Sequence, residues 1–152
     1  MAPFDSSILP QGLRARLVPT PNGLTVHLLE AGEPGRPVLL LLHGFPELAW
    51  SWRRVMPALA AAGFHVIAPD QRGYGRTTGW TAGYDDSLAP FGLLNLVRDQ
   101  LALLHALGIP RVAAVIGHDF GSWVSAWCAE ARPEEVATCG MKRARCAGPP
   151  RS

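Results

Sequence analysis

The chain has 152 residues, 48% of them hydrophobic, which fits one packed domain and excludes a disordered tail or linker. Charged residues make up 17%, below the ~25% usual for soluble domains, so part of the surface is expected to be buried or shared. The formal net charge of +2 is too small to point to nucleic acid or an anionic membrane as partner. Residues 1–137 carry ten arginines against twelve carboxylates, and Lys142, Arg143, Arg145 and Arg151 then reverse the sign with no acid among them.

Met1 to Asp5 shows no basic segment leading into an apolar run, so a cytoplasmic protein without a secretory signal is expected. No apolar stretch approaches the ~20 residues of a membrane span. Arg14 to Val18 and Leu24 to Leu29 are strand candidates joined by a hairpin turn at Pro21-Asn22-Gly23. Pro37 to Leu42 is a continuous apolar run between Gly35 and Gly44, the pattern of a strand buried on both faces of a parallel sheet. Trp52 to Ala62 fits a helix stopped by Gly63, with Pro57 delaying its first turn or kinking it. His65 to Pro69 is the next strand, and residues 80–90 are a loop without period.

Phe91 to Leu107 is the strongest helix, with Leu93, Leu94, Val97, Leu101, Leu104 and His105 at helical spacing. Arg98 and Asp99 fall off that stripe, and Gly108 and Pro110 end the helix. Val112 to Ile116 is a third buried strand, followed by a helix from Phe120 to Ala131. Strands alternating with helices predict an α/β fold, a predominantly parallel sheet with helices on both faces. Residues 138–152 fit no periodic template and read as a basic, disordered tail after a domain of residues 1–137. Cys128, Cys139 and Cys146 form no CxxC pair and no metal-ligand cluster with the five histidines, and Cys128 reads as a reduced core thiol.

The segment Gly117-His118-Asp119-Phe120-Gly121 carries the chemistry. A strand turning at once into a helix strains its middle residue, and small residues two before and two after it keep the backbones apart. Gly117 and Gly121 hold those places, so Asp119 is presented above the sheet at a helix amino terminus that favours an anion. Serine is the commoner residue there; a carboxylate suits attack on an sp³ carbon bearing a leaving group, giving an alkyl-enzyme ester that water cleaves. Taken alone, the segment also reads as a turn with an N-capping aspartate. Its spacing from two further motifs favours the elbow.

The first of these, His43-Gly44-Phe45-Pro46, follows the first buried strand. It is placed to supply the Phe45 N–H, beside that of Phe120, to an oxyanion, with Pro46 fixing the loop. The second, Asp70-Gln71-Arg72-Gly73-Tyr74-Gly75, lacks the third glycine and the helix start of a dinucleotide loop. Its expected role is structural, with Asp70 and Arg72 pinning the loop and Gly73 and Gly75 permitting the turn.

Together, with Glu47 and Trp50-Ser51-Trp52-Arg53, these motifs resemble the epoxide hydrolase branch of the α/β-hydrolase superfamily over about residues 24–136. The resemblance implies an α/β-hydrolase fold, Asp119 as nucleophile, and oxyanion donors at Phe45 and Phe120. His43, Gly44, Pro46, Asp70, Arg72, Gly73, Gly75, Gly117, His118 and Gly121 are its structural positions. It also implies a small-molecule epoxide or other electrophilic-carbon substrate, lid tyrosines as acid, and a histidine backed by an acid as base, with no cofactor and no metal. Haloalkane and fluoroacetate dehalogenases share the layout, but haloalkane dehalogenases usually carry a tryptophan after the nucleophile where this chain has Phe120.

That family pattern places its base, acid and lid after the helix that ends near Ala131. His118 is expected to point away from Asp119, and His43, His65 and His105 look structural. The expectation is therefore a chain truncated after the elbow helix, with Val112–Ile116 as a bare sheet edge, exposed helix faces and no turnover alone. A non-catalytic truncated isoform is the alternative from another class, and the sequence leaves the oligomeric state open.

Overall fold

A computed structural model describes residues 3–81 and 83–142. A six-stranded sheet in the order β1-β2-β4-β3-β5-β6 forms its centre. Strands β1 (Leu13–Pro19) and β2 (Thr25–Ala31) make an antiparallel hairpin, with Leu17 opposite His27. Its turn is closed by Gly23 N–H to Thr20 C=O, and Gly23 takes a left-handed φ of 88° that a side chain would resist. β2 pairs antiparallel with β4 (His65–Pro69), which pairs parallel with β3 (Val38–Leu42). β5 (Ala114–His118) lies parallel on the other side of β3, with Leu40 opposite Val115.

Alternation along the strands sorts the core into two layers. Leu28, Leu40, Leu42 and Ile67 face helices α2 (Leu93–Ala106) and α3 (Phe120–Ala131), meeting Leu96, Val97, Leu103, Leu104, Val124 and Cys128. Leu29, Leu39, Leu41, Val66 and Ala68 face the other way onto α1 (Met56–Ala61), against Met56 and Ala49. Helices therefore cover both faces, as the strand–helix alternation implies. Pro57 explains where α1 starts: it sits in the first turn, and the residues before it form a separate 3₁₀ turn, Ala49–Trp52, instead of continuing one helix from Trp52.

Further expectations need correction. The third parallel strand runs two residues later than Val112–Ile116, straight into the elbow; Val112 makes only an isolated bridge to Val136. It is also not a bare edge, because Cys139–Lys142 forms β6, parallel to β5, with Gly117 opposite Met141. Order thus continues beyond the expected 137/138 boundary; residues 143–152 lie outside the described residues. On α2 the buried positions include Leu96, Gln100 and Leu103, whereas Leu94 is 70% exposed and His105 faces solvent. Asp99, assigned to the outer face, is buried because Arg72 reaches it from the loop after β4. Phe120, Trp123 and Trp127 on α3 expose 36–43% of their surfaces. No helix among the described residues is long and apolar enough to cross a membrane.

Candidate active site

Because β3, β4 and β5 are parallel, the loops that follow them gather at one rim of the sheet. Asp119 stands at the tip of that rim, between β5 and α3. Its backbone sits at φ 51° and ψ −121°, the one non-glycine residue with positive φ among the described residues. Close packing enforces this bend. A methyl group on Gly117 would collide with the backbone of Gly121 and Ser122. One on Gly121 would lie 2.5 Å from the carbonyl oxygens of both Leu42 and His43, and one on Gly44 would lie 2.5 Å from Asp119 Cβ. Ser122 adds a tie, its hydroxyl donating to the Gly117 carbonyl at 3.0 Å.

Asp119 occupies the N-cap position of α3, yet its side chain makes no capping hydrogen bond, so the reading of an ordinary capping aspartate does not hold. The carboxylate is directed outward, and the Phe45 N–H donates to Oδ1 at 3.1 Å. The backbone N–H groups of Phe120 and then Phe45 hold its pKa below the usual carboxylate range, with a smaller contribution from the charge of His118. Asp119 is thus an anion at neutral pH, with the Phe45 amide bonded to Oδ1.

The loop after β4 fixes the loop after β3. Gln71 donates its backbone N–H to His43 Nε2 at 3.0 Å and its side-chain amide to the His43 carbonyl at 2.6 Å. His43 Nδ1 bonds the Gly44 carbonyl at 2.9 Å, which makes Nδ1 the protonated nitrogen. Burial pushes the pKa of His43 down, so the ring stays neutral and Nε2 remains an acceptor. Asp70 is a buried hub: Oδ1 accepts from the Ala49 N–H at 2.9 Å, and Oδ2 takes His27 Nδ1 at 2.8 Å and the Arg76 N–H at 3.1 Å. A methyl on Gly75 would collide with that carboxylate, and Gly73 sits at φ 87° under the Phe91 ring. Arg72 forms a bidentate pair with Asp99 at 2.8 and 2.7 Å, reinforced by Asn22.

The structural positions predicted from sequence therefore converge, but three partners lay beyond sequence reasoning. Gln71 stood inside the second motif without a role, and Asp99 carries no motif signal. Glu47 likewise stood in its motif without a role; its Oε2 meets His118 Nδ1 at 3.0 Å, which engages that ring with the loop after β3. Glu47, Ser51, Trp52, Val55 and His118 line a cleft of about 250 Å³. Larger clefts open elsewhere, one of them at the amino-terminal strand ends around Glu30 and His65; they hold none of the elbow residues. His65 pairs with Glu30 at 2.6 Å. Among the described residues no three metal-ligating side chains converge.

A tight strand-to-helix bend at the carboxyl rim of a largely parallel sheet, faced by an amide-bearing loop after the neighbouring strand, is the arrangement of the α/β-hydrolase fold. The family model for the alpha/beta hydrolase fold matches residues 37–140, and the chain belongs to that family. Within it, the chain is 49% identical over 109 residues to Epoxide hydrolase A of Mycobacterium tuberculosis, covering 72% of this chain and 32% of that protein. It is 43% identical over 106 residues to an epoxide hydrolase of Caballeronia sordidicola, covering 70% and 30%. The crystal structure of Epoxide Hydrolase A from Mycobacterium thermoresistibile superposes with a TM-score of 0.76 at 43% identity, over 85% of this chain and 38% of that one. The chain spans about a third of the length of the curated relatives it matches.

Proposed function

We propose that this chain carries the nucleophilic half of an epoxide hydrolase, with Asp119 as the attacking group. Oδ2 would attack an epoxide carbon as the ring C–O bond breaks, and the departing alkoxide oxygen would take a proton from solvent water. The product is an ester between Asp119 and the opened substrate. Water attack at Cγ would then form a tetrahedral oxyanion, held by the N–H groups of Phe45 and Phe120, and release a diol with the carboxylate restored. The observation that carries this reading is the outward carboxylate at φ 51° with the Phe45 N–H 3.1 Å from Oδ1. One oxygen is held by the donor and the other is left for attack.

A carbon–halogen bond is open to the same displacement, but the Phe120 ring offers no side-chain N–H to a departing halide, which favours the epoxide. The second step needs a base. Among the described histidines, His27, His43, His65 and His118 are bonded to Asp70, Gln71, Glu30 and Glu47, and His105 lies exposed on α2. The 152-residue polypeptide is therefore proposed to stop at the ester.

Incubation with a reactive epoxide such as styrene oxide, followed by mass spectrometry, tests both parts. One adduct per chain is expected, mapping to Asp119 and absent in Asp119→Asn. An adduct that persists in Asp119→Asn overturns the nucleophile, and diol accumulating beyond one equivalent overturns the arrest at the ester.

A further inference from the structure

The Phe45 N–H needs something to hold it in place, and its own side chain does not. Phe45 is 70% exposed and Pro46 is exposed as well, so packing does little to anchor the tip of this loop. What fixes the tip is its two ends. On one side Gly44 is buried against the elbow, close enough that any side chain there would strike Asp119. On the other side Glu47 closes the turn with its N–H on the Gly44 carbonyl at 3.0 Å, and its carboxylate crosses to His118 Nδ1 at 3.0 Å. His118 is the last residue of β5 and immediately precedes Asp119. The turn that carries the donor is thereby tied, side chain to side chain, to the strand that carries the acceptor.

We propose that Glu47 and His118 form a clamp that holds the Phe45 N–H on the Asp119 carboxylate, which makes Glu47 a positioning residue for the oxyanion loop. This rests on the reading of Asp119 as nucleophile for its meaning, though not for its test. The clamp works through a hydrogen bond and does not require the Glu47 charge. A glutamine oxygen can accept from Nδ1–H at the same distance, and its amide can donate if the ring takes the other tautomer. Both side chains are about one-third exposed, so the bond restrains local opening of the loop more than it stabilises the whole fold.

The test compares Glu47→Ala with Glu47→Gln in the 152-residue protein by two readouts that need no epoxide. The first is hydrogen exchange of the Phe45 amide, expected to speed up about three- to fivefold in Glu47→Ala and to stay near wild type in Glu47→Gln. The second is the carbon-13 titration of the Asp119 carboxyl. Both variants remove the same negative charge, so any difference between them reports the loop; Asp119 is expected to titrate higher in Glu47→Ala because it loses a donor. His118→Ala breaks the same bond from the elbow side and serves if Glu47→Ala fails to fold. Equal behaviour of the alanine and glutamine variants, with the Phe45 amide protected as in wild type, overturns the clamp. Failure of Asp119 to form an adduct would overturn the functional reading and leave these two measurements unaffected.

Discussion

Replacing Gly121 with alanine tests the packing that creates the elbow. The added Cβ would lie 2.5 Å from the carbonyl oxygens of Leu42 and His43 and 2.8 Å from the Leu42 carbonyl carbon. All three are backbone atoms of β3 or its exit, so no side chain can swing aside. Restoring an ordinary 3.4 Å contact requires α3 and β3 to part by about 0.9 Å. That movement would strip close contacts from Val124 and Leu42, which share one core layer. Overpacking of this kind costs about 2–3 kcal/mol, or roughly 5–10 °C in melting temperature at this chain length. The control is Gly140→Ala in β6, whose Cβ would meet Ile116 at an ordinary 3.5 Å, with no left-handed φ to oppose it. It should be neutral or stabilising by up to about 1 kcal/mol. Urea unfolding of both variants decides the matter. A Gly121→Ala protein within about 0.5 kcal/mol of wild type, or a Gly140→Ala protein as damaged as it, would refute the reasoning.

Other perturbations probe different parts of the rim. Asp119→Gly removes the proposed nucleophile but relieves a positive-φ residue; strain relief of ~1–3 kcal/mol, offset by the freedom glycine regains on unfolding, should leave a net gain of about 1 kcal/mol in denaturant midpoint analysis. Burial pushes the pKa of Asp70 up, but the bonds from His27 and from the Arg76 and Ala49 amides outweigh it and leave the value lowered. Since the folded state binds this proton more weakly, the stabilisation is complete above the ordinary value of 3.8 and fades as pH falls through the lower folded value. Asp70→Asn should therefore lose stability at neutral pH and flatten the acid limb of the stability–pH curve measured by urea unfolding. Asp99→Ala leaves the buried Arg72 guanidinium unpaired, a loss of about 3–5 kcal/mol in the same assay, whereas Arg72→Met combined with Asp99→Leu should lose less than either single change.

Sequence made the elbow legible because its requirements are steric and local: two glycines at fixed offsets from Asp119 are what a tight strand-to-helix bend demands. The apolar strands were legible for a similar reason, since Val38–Leu42 and His65–Pro69 are buried on both faces and show it in composition. Asp99 was misplaced because its burial depends on Arg72, 27 residues away in the chain, and a periodicity of apolar residues assigns any carboxylate to the outside. β6 was missed because Cys139-Gly140-Met141-Lys142 has no pattern of its own; it is a strand by virtue of the ladder that β5 offers it. The Glu47–His118 pair, separated by 71 positions, is a product of the rim's geometry and has no trace in spacing.

The bend at residue 119 is dictated by what lies around it, since the side chains it excludes are those at 44, 117 and 121. Positions 117 and 121 meet only backbone, and 44 meets the Cβ that any non-glycine residue at the tip carries. A hydroxyl or a thiol placed there by one substitution would inherit the same exposure and the same Phe45 amide without any rebuilding of the scaffold. The bend and the group it presents are thus separable in this molecule, and a single codon decides which side chain stands at the tip.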